Sequence, residues 1–465
     1  MEGITAIQFL PDGMRDALDL VSAFDACFIP GFANLNSRHQ QTLQSLQRIF
    51  AHTPLGQPLG ECLTAIQRHE FLEPHFIALA MARAALHGAQ FDALQQQVRT
   101  ALGRPPIAEL ELPDQAAVLP TQLQAWLGST RHWLFELALT GFARLDVSVL
   151  TPFMATLAQI QGEPALTRLS VLLTGFFYEL LEAAPVVDAN NIPPARWVDL
   201  WVRAMVGAIG QPPPPLTEAV SGELCLFGFD IHQHEHVASL IAWGVLENGG
   251  RAQVCRVTLS SYKVGAISGD EVWLLFPQAA LLLDAVAQRR VLLLEAMPMS
   301  LSGDLFWNGH ANLGRKINPM NLAAHWFDPG TSQSLTPIYL APADRHPIQL
   351  AEPIFLNDYT VQDRDGDLRL EWGGGFSLPV AMERVNSLTG MVYELLIQSA
   401  QFFGLLRFNA GYWSVQPLAV STRPAKGKTQ IFLSGEGGMV VWQKPPKNNS
   451  VAILHERASR LLRKR

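Results

Sequence analysis

At 465 residues the chain exceeds what one hydrophobic core usually serves, so two or three domains are expected. Its composition is 48% hydrophobic and 16% charged, which leaves ample material to bury, yet no window approaches eighteen uninterrupted apolar residues and a membrane-spanning helix is excluded. The net charge of −7 hides an asymmetry: from Arg423 onward ten Lys or Arg face two acidic residues, a balance of +8 that leaves −15 upstream. A basic end of this kind could meet an acidic partner or nucleic acid.

Residues 1–210 are predicted to be helical throughout, because apolar residues recur at spacings of three and four. Phe76, Leu79, Ala80 and Ala84 form one such face in the stretch 73–87, with Gly88 predicted to stop it. Trp126, Trp133, Leu134 and Leu137 form a second, and Leu166, Leu169, Leu172, Leu173, Phe176 and Phe177 a third. Prolines punctuate this half, and no fixed internal period stands out. The expectation is a helical array packed pair on pair.

Four consecutive prolines, Pro212 to Pro215, mark a linker at 211–217. A β-rich mixed domain is predicted over 218–448, and a basic amphipathic helix over 449–465. The class is therefore α+β, a helical N-terminal domain followed by a mixed, mainly antiparallel β-rich one. Leu224 to Phe229 is of strand length. The stretch 237–246 reads as a strand joined through Asn248-Gly249 to the alternating run 251–259, since Asn-Gly is a strong hairpin signal. Were it a helix, Asp230 and His232 would resemble the Asp-x-His loop of cobalamin-binding domains, but Glu235 stands where that loop needs glycine.

Beyond it, a helix is predicted over 277–288 with Asp270 capping the approach, then a strand at 291–295. The stretch 305–347, rich in Gly, Pro, Asn and Trp, reads as a long ordered loop. Strands are predicted at 354–361, 368–372 and 376–380, an amphipathic helix at 388–402, and a meander of four strands at 405–408, 412–420, 429–433 and 439–442.

The densest group of chemically versatile side chains is His232, His234 and His236. On an extended backbone the three rings would share one face at a repeat of about 7 Å. They are the candidate metal ligands, needing a fourth such as Asp230, Glu235 or His310. A metal-binding protein or metal-dependent hydrolase is the alternative this cluster supports, although the His-x-His-x-Asp-His pattern is not completed. Asp363, Asp365 and Asp367 read as a solvated hairpin turn, because Leu368 and Gly374 stand where a calcium loop needs Gly and Glu. Ser260 and Lys263 have a Ser-x-x-Lys spacing but lie at a strand end. No P-loop, Rossmann fingerprint or other cofactor motif is present, and no catalytic set is complete. Cys27, Cys62, Cys225 and Cys255 form no CxxC pair and read as buried free thiols. The N-terminus lacks the basic and apolar regions of a secretory signal, which predicts a cytoplasmic protein.

Four phrases, ARWVDLW at 195–201, GFDIHQHEH at 228–236, MPMSLSGDLFW at 297–307 and LRFNAGYWSVQPLAV at 406–420, together resemble a bacterial protein group encoded beside a MoxR-type AAA+ ATPase, a von Willebrand A (VWA) domain protein and a SWIM zinc-finger protein. The resemblance attaches no catalytic residue to this chain. It implies an accessory or adaptor protein acting through protein contacts with the ATPase and the VWA-domain protein, with no membrane partner.

Overall fold

The computed structural model describes residues 2–107, 119–210, 217–234, 236–328, 335–422, 429–447 and 449–462. The proline run at 212–215, Pro113, Glu235 and the last three residues therefore lie outside the described residues. Among the described residues no helix is long and apolar enough to cross a membrane.

The N-terminal half contains α1 (Met14–Asp25), α2 (Ser37–Ile49), α3 (Gly56–Arg68), α4 (Glu73–Ala101), α5 (Thr121–Thr140), α6 (Val147–Leu150), α7 (Met154–Gln161), α8 (Thr167–Ala183) and α9 (Pro194–Gly207). Its core is aromatic: Phe28 meets Phe32, Phe142 and Trp201 at ring separations of 4.7–5.8 Å. The buried indole of Trp201 donates to the Leu134 carbonyl at 2.7 Å, so no polar atom of that ring is stranded.

Gly88 does not end its helix. α4 continues through it for 29 residues, about 43 Å. A mid-helix glycine costs about 1 kcal/mol relative to Ala, and packing on both sides of it outweighs that. Before Gly88, Phe76 and Leu79 enter the helical core; after it, Phe91, Leu94 and Val98, spaced for one face, enter a core shared with the C-terminal sheets. Ile4, Ile7 and Met14 join that shared core, so the two halves of the chain are packed through common apolar residues.

A short repeat underlies the helical half. The phrases Gly31-Phe32-Ala33 and Gly141-Phe142-Ala143 lie 110 residues apart, each between two helices and each forming a 3-10 turn. Both glycines have φ near 80° with extended ψ, a region essentially reserved for glycine. The two turns pack back to back, and a Cβ on Gly31 would lie 2.6 Å from the backbone of Thr140 and Gly141. Asn36 and Asp146 then cap the following helices. Gly31→Ala is expected to cost about 2–4 kcal/mol, combining left-handed strain with backbone overlap. Urea denaturation checks this, with half-buried Gly60→Ala, where a Cβ would meet nothing within 4 Å, as the control.

The C-terminal half begins with β1 (Thr217–Gln233), β2 (Val237–Asn248) and β3 (Arg251–Tyr262). The predicted hairpin is present, shifted by one residue: Asn248 pairs with Arg251, and Gly249 and Gly250, both with positive φ, form the turn. α10 (Ala280–Gln288), β4 (Arg290–Ser300), β5 (Asp304–Leu305), β6 (Ala311–Lys316), α11 (Pro319–Phe327) and β7 (Leu335–Thr336) follow. The stretch 305–347 is thus not a long loop; its strands are short and half-exposed, which erases the alternation that would reveal them. Asp270 lies within a 3-10 turn and does not cap α10.

β1 pairs with β2 and β4, β2 with β3, β3 with β5 in parallel, and β5 with β4. The ring β1-β2-β3-β5-β4 therefore closes on itself, with a helix between β3 and β4, the topology of an OB-type barrel. β6 and β7 add to its edges.

β8 (Glu352–Leu356), β9 (Thr360–Arg364), β10 (Asp367–Glu371), β11 (Ser377–Pro379), α12 (Tyr393–Ile397), β12 (Ser399–Asn409), β13 (Tyr412–Thr422), β14 (Gln430–Leu433), α13 (Gly438–Gln443) and α14 (Ser450–Leu462) complete the chain. They form an antiparallel sheet β14-β13-β12-β8 and a smaller one β11-β10-β9, whose Asp365-Gly366 turn is as expected. Three elements differ from expectation. The predicted strand 354–361 is broken at 357–359 into β8 and β9, which belong to different sheets. The predicted helix 388–402 is only α12 before β12 begins, and 438–443 is helix, not a fourth meander strand. The molecule is α+β, and all four cysteines are buried and free.

Candidate functional site

The three histidines do not share a strand face. β1 ends at Gln233 and β2 starts at Val237, so the chain reverses between the second and third rings, with His234 N–H donating to the Val237 carbonyl at 2.8 Å. His232 is the last inward anchor, His234 is exposed at the tip, and His236 turns toward the helical half. There its ring lies 4.7 Å from that of Tyr178, and its Nε2 is 3.5 Å from Glu182, both on α8. Tyr262 of β3 reaches Ser170 of the same helix at 3.2 Å. The hairpin is thus a docking element between barrel and helices. Among the described residues no three His, Cys, Asp or Glu side chains gather as a metal site; His310 stands exposed before β6.

No protein-family model matches the chain, and no curated protein is significantly similar to it.

What anchors the hairpin is a buried polar ring. Asp230 of β1 is 2% exposed. Its Oδ1 accepts from Gln416 Nε2 at 2.7 Å, and its Oδ2 accepts from Arg407 Nη2 at 2.6 Å. Arg407 Nε donates to Gln416 Oε1 at 2.9 Å, closing the ring, and Nη1 approaches the Leu350 carbonyl. Burial alone would raise the Asp230 carboxyl, but the Arg407 charge together with His232 and Gln416 outweighs it and holds the group well below the usual carboxylate range. Arg407 is pulled down to about 10 by burial, with Asp230 opposing, and remains charged at neutral pH. The ring joins the barrel to β12 and β13, and its members satisfy one another.

His232 Nε2 lies 3.0 Å from Asp230 Oδ2, so the carboxylate fixes the imidazole by one edge. Such an arrangement can orient a general base or a metal ligand. Opposite His232 stands Ser239, which hydrogen-bonds Ser260 at 2.8 Å, giving a row across three strands. No hydrogen bond joins His232 to either serine, so a nucleophile–base pair is not formed among the described residues. Ser260 and Lys263 lie at the end of β3 and just past it, not on one helical turn.

Sequence reasoning found His232 but not Asp230, Arg407 and Gln416 as a unit. The usable signal was a polar residue inside each of three apolar strand runs.

A second feature is a groove of about 1030 Å³ between the N-terminal segment, β10–β11 and the β12–β13 turn. Phe9 and Tyr412 stand on it 77% and 74% exposed, and the indole N–H of Trp413 lies buried there with no partner. Arg15, Arg369, Asp12, Asp16 and Asp367 supply mixed charge.

Proposed function

We propose that this protein is an accessory or adaptor subunit in a MoxR-type ATPase-linked assembly, acting through protein contacts. The observation that carries the reading is the groove. Solvent-exposed Phe and Tyr beside a Trp with an unused donor make an arrangement suited to an anchored protein contact, where aromatic residues supply most of the binding energy. Its occupant is an extended segment of a partner protein carrying an apolar side chain and a carbonyl for the Trp413 N–H. The four phrases resembling the ATPase-linked group name the partner.

Co-expression with a MoxR-type ATPase and a VWA-domain protein from the same organism tests this reading. One of the two should co-purify, and Phe9→Ala and Tyr412→Ala should each weaken that complex about tenfold or more while leaving the thermal midpoint unchanged. Recovery of a monomer alone at low salt, or equal capture by both variants, would overturn the reading.

A further inference from the structure

A cleft between the C-terminal part of α4, the outer face of β2–β3 and the stretch 326–353 gathers cations around too little negative charge. Arg99, 2% exposed, donates to Glu352 Oε1 at 2.9 Å, and Arg104 donates to the same oxygen at 2.7 Å. Glu352 is the one carboxylate among the residues lining the cleft. Two guanidinium groups on one carboxylate leave a surplus positive charge in a shielded place, a costly arrangement without a counter-ion.

The remaining donors point the same way. Arg256 of β3 is held by Asp304 through Nε and Nη2, and among the described residues neither its Nη1 nor Arg99 Nη2 makes a hydrogen bond. Trp243 stands opposite Arg256 on β2, is 3% exposed, and its indole N–H has no acceptor among the described residues. A stranded donor of this kind has lost its water partner and gained nothing in return. Burial lowers the Arg99 guanidinium, Glu352 opposes this, and Arg104 adds to it, as expected where cations outnumber anions. The interior space is about 40 Å³, more than one water needs and small for an organic ring.

We propose that the cleft binds a small oxyanion, a carboxylate or phosphate group, seated between Arg99, Arg256 and the Trp243 N–H. One such group would neutralise the surplus charge and satisfy the indole together. The reading rests on different residues from the groove and stands or falls separately.

The test titrates the full chain with inorganic phosphate and, in parallel, with acetate, following tryptophan emission and thermal midpoint against sodium chloride at matched ionic strength. At least one oxyanion should give a saturable response that chloride does not reproduce, and the tighter of the two identifies the group. Trp243→Phe keeps an aromatic side chain, though a smaller one, and deletes the donor, and should weaken binding about tenfold or more. Arg104→Gln removes the surplus charge and should reduce the response to the chloride level. Responses equal to chloride, or wild-type titrations in both variants, would overturn the proposal, the latter by placing the ion elsewhere on the surface.

Discussion

Replacing Arg407 with Met is expected to destabilise the protein by about 3–5 kcal/mol, because it leaves the Asp230 carboxylate buried and ionised without its counter-charge. Asp230 and Arg407 are 177 residues apart in sequence and meet at 2.6 Å where β1 of the barrel packs against the second sheet at β13. Gln416 cannot substitute, since it supplies one amide N–H to the other oxygen and no charge. Removing all three polar members together, as Asp230→Leu, Arg407→Met and Gln416→Leu, should recover most of the loss, because apolar replacement of a whole buried network is often nearly neutral. Urea denaturation of both proteins reads the difference. A single variant that loses less than about 1 kcal/mol would mean that solvent reaches the carboxylate and that the ring does not hold the barrel to the sheet.

The same ring shows where the sequence stops being legible. Asp230, Arg407 and Gln416 each show only as a polar interruption of an apolar strand, which does not say which of them pair, and only the tertiary fold brings them together. Local chemistry, by contrast, is readable: Asn248 followed by two glycines announces a reversal, and the spacing of Leu134 and Leu137 announces a helix. Errors arise where packing overrides such signals. Gly88 is a breaker by propensity, yet α4 is held on both sides of it by two different cores. β12 is buried over most of its length, so Phe402, Phe403, Leu405 and Leu406 form a continuous apolar run that does not show the period of a strand. The segment 438–443 is apolar enough for a strand, but it lies against Trp273, whose ring would meet a Cβ on Gly438 at 2.8 Å. The histidines alternate perfectly in sequence, and the alternation misleads because the turn falls between them.

Acidification below pH 6.5 is expected to weaken the junction between α4, α9 and the stretch after β7, through His87 and His346. Their rings lie 3.9 Å apart. The Ile348 N–H donates to His346 Nδ1 at 3.1 Å, which requires that nitrogen to be unprotonated, and Nε2 lies 3.2 Å from Asp199 Oδ1. Asp199 is also shared by Arg83 and Arg203, so a proton arriving on the ring would meet both guanidinium groups. Burial, reinforced by Arg203 and Arg83, lowers His346 from 6.5 to about 2. Burial, with Arg83 and His346 adding to it, also holds His87 well below 6.5. Both groups have folded values below their unfolded ones, so the unfolded chain binds more protons below pH 6.5. Stability is fully present above that value and falls as pH drops, by about 1.4 kcal/mol per pH unit for each ring. Asp25 acts in the opposite sense. Burial, against the pull of Arg83, raises its carboxyl to about 6, so between 3.8 and 6 the native state holds the extra proton. His346, whose folded value lies below the whole interval, contributes a loss of about 1.4 kcal/mol per unit between pH 6 and 4. His346→Asn keeps an acceptor for the Ile348 N–H and removes the titrating ring, so its stability should fall less steeply than the wild type's by about that slope over the interval. Denaturation free energies at pH 7, 6, 5 and 4 for both proteins decide it: parallel curves would show that His346 takes up its proton in the native state and that the junction does not sense acid.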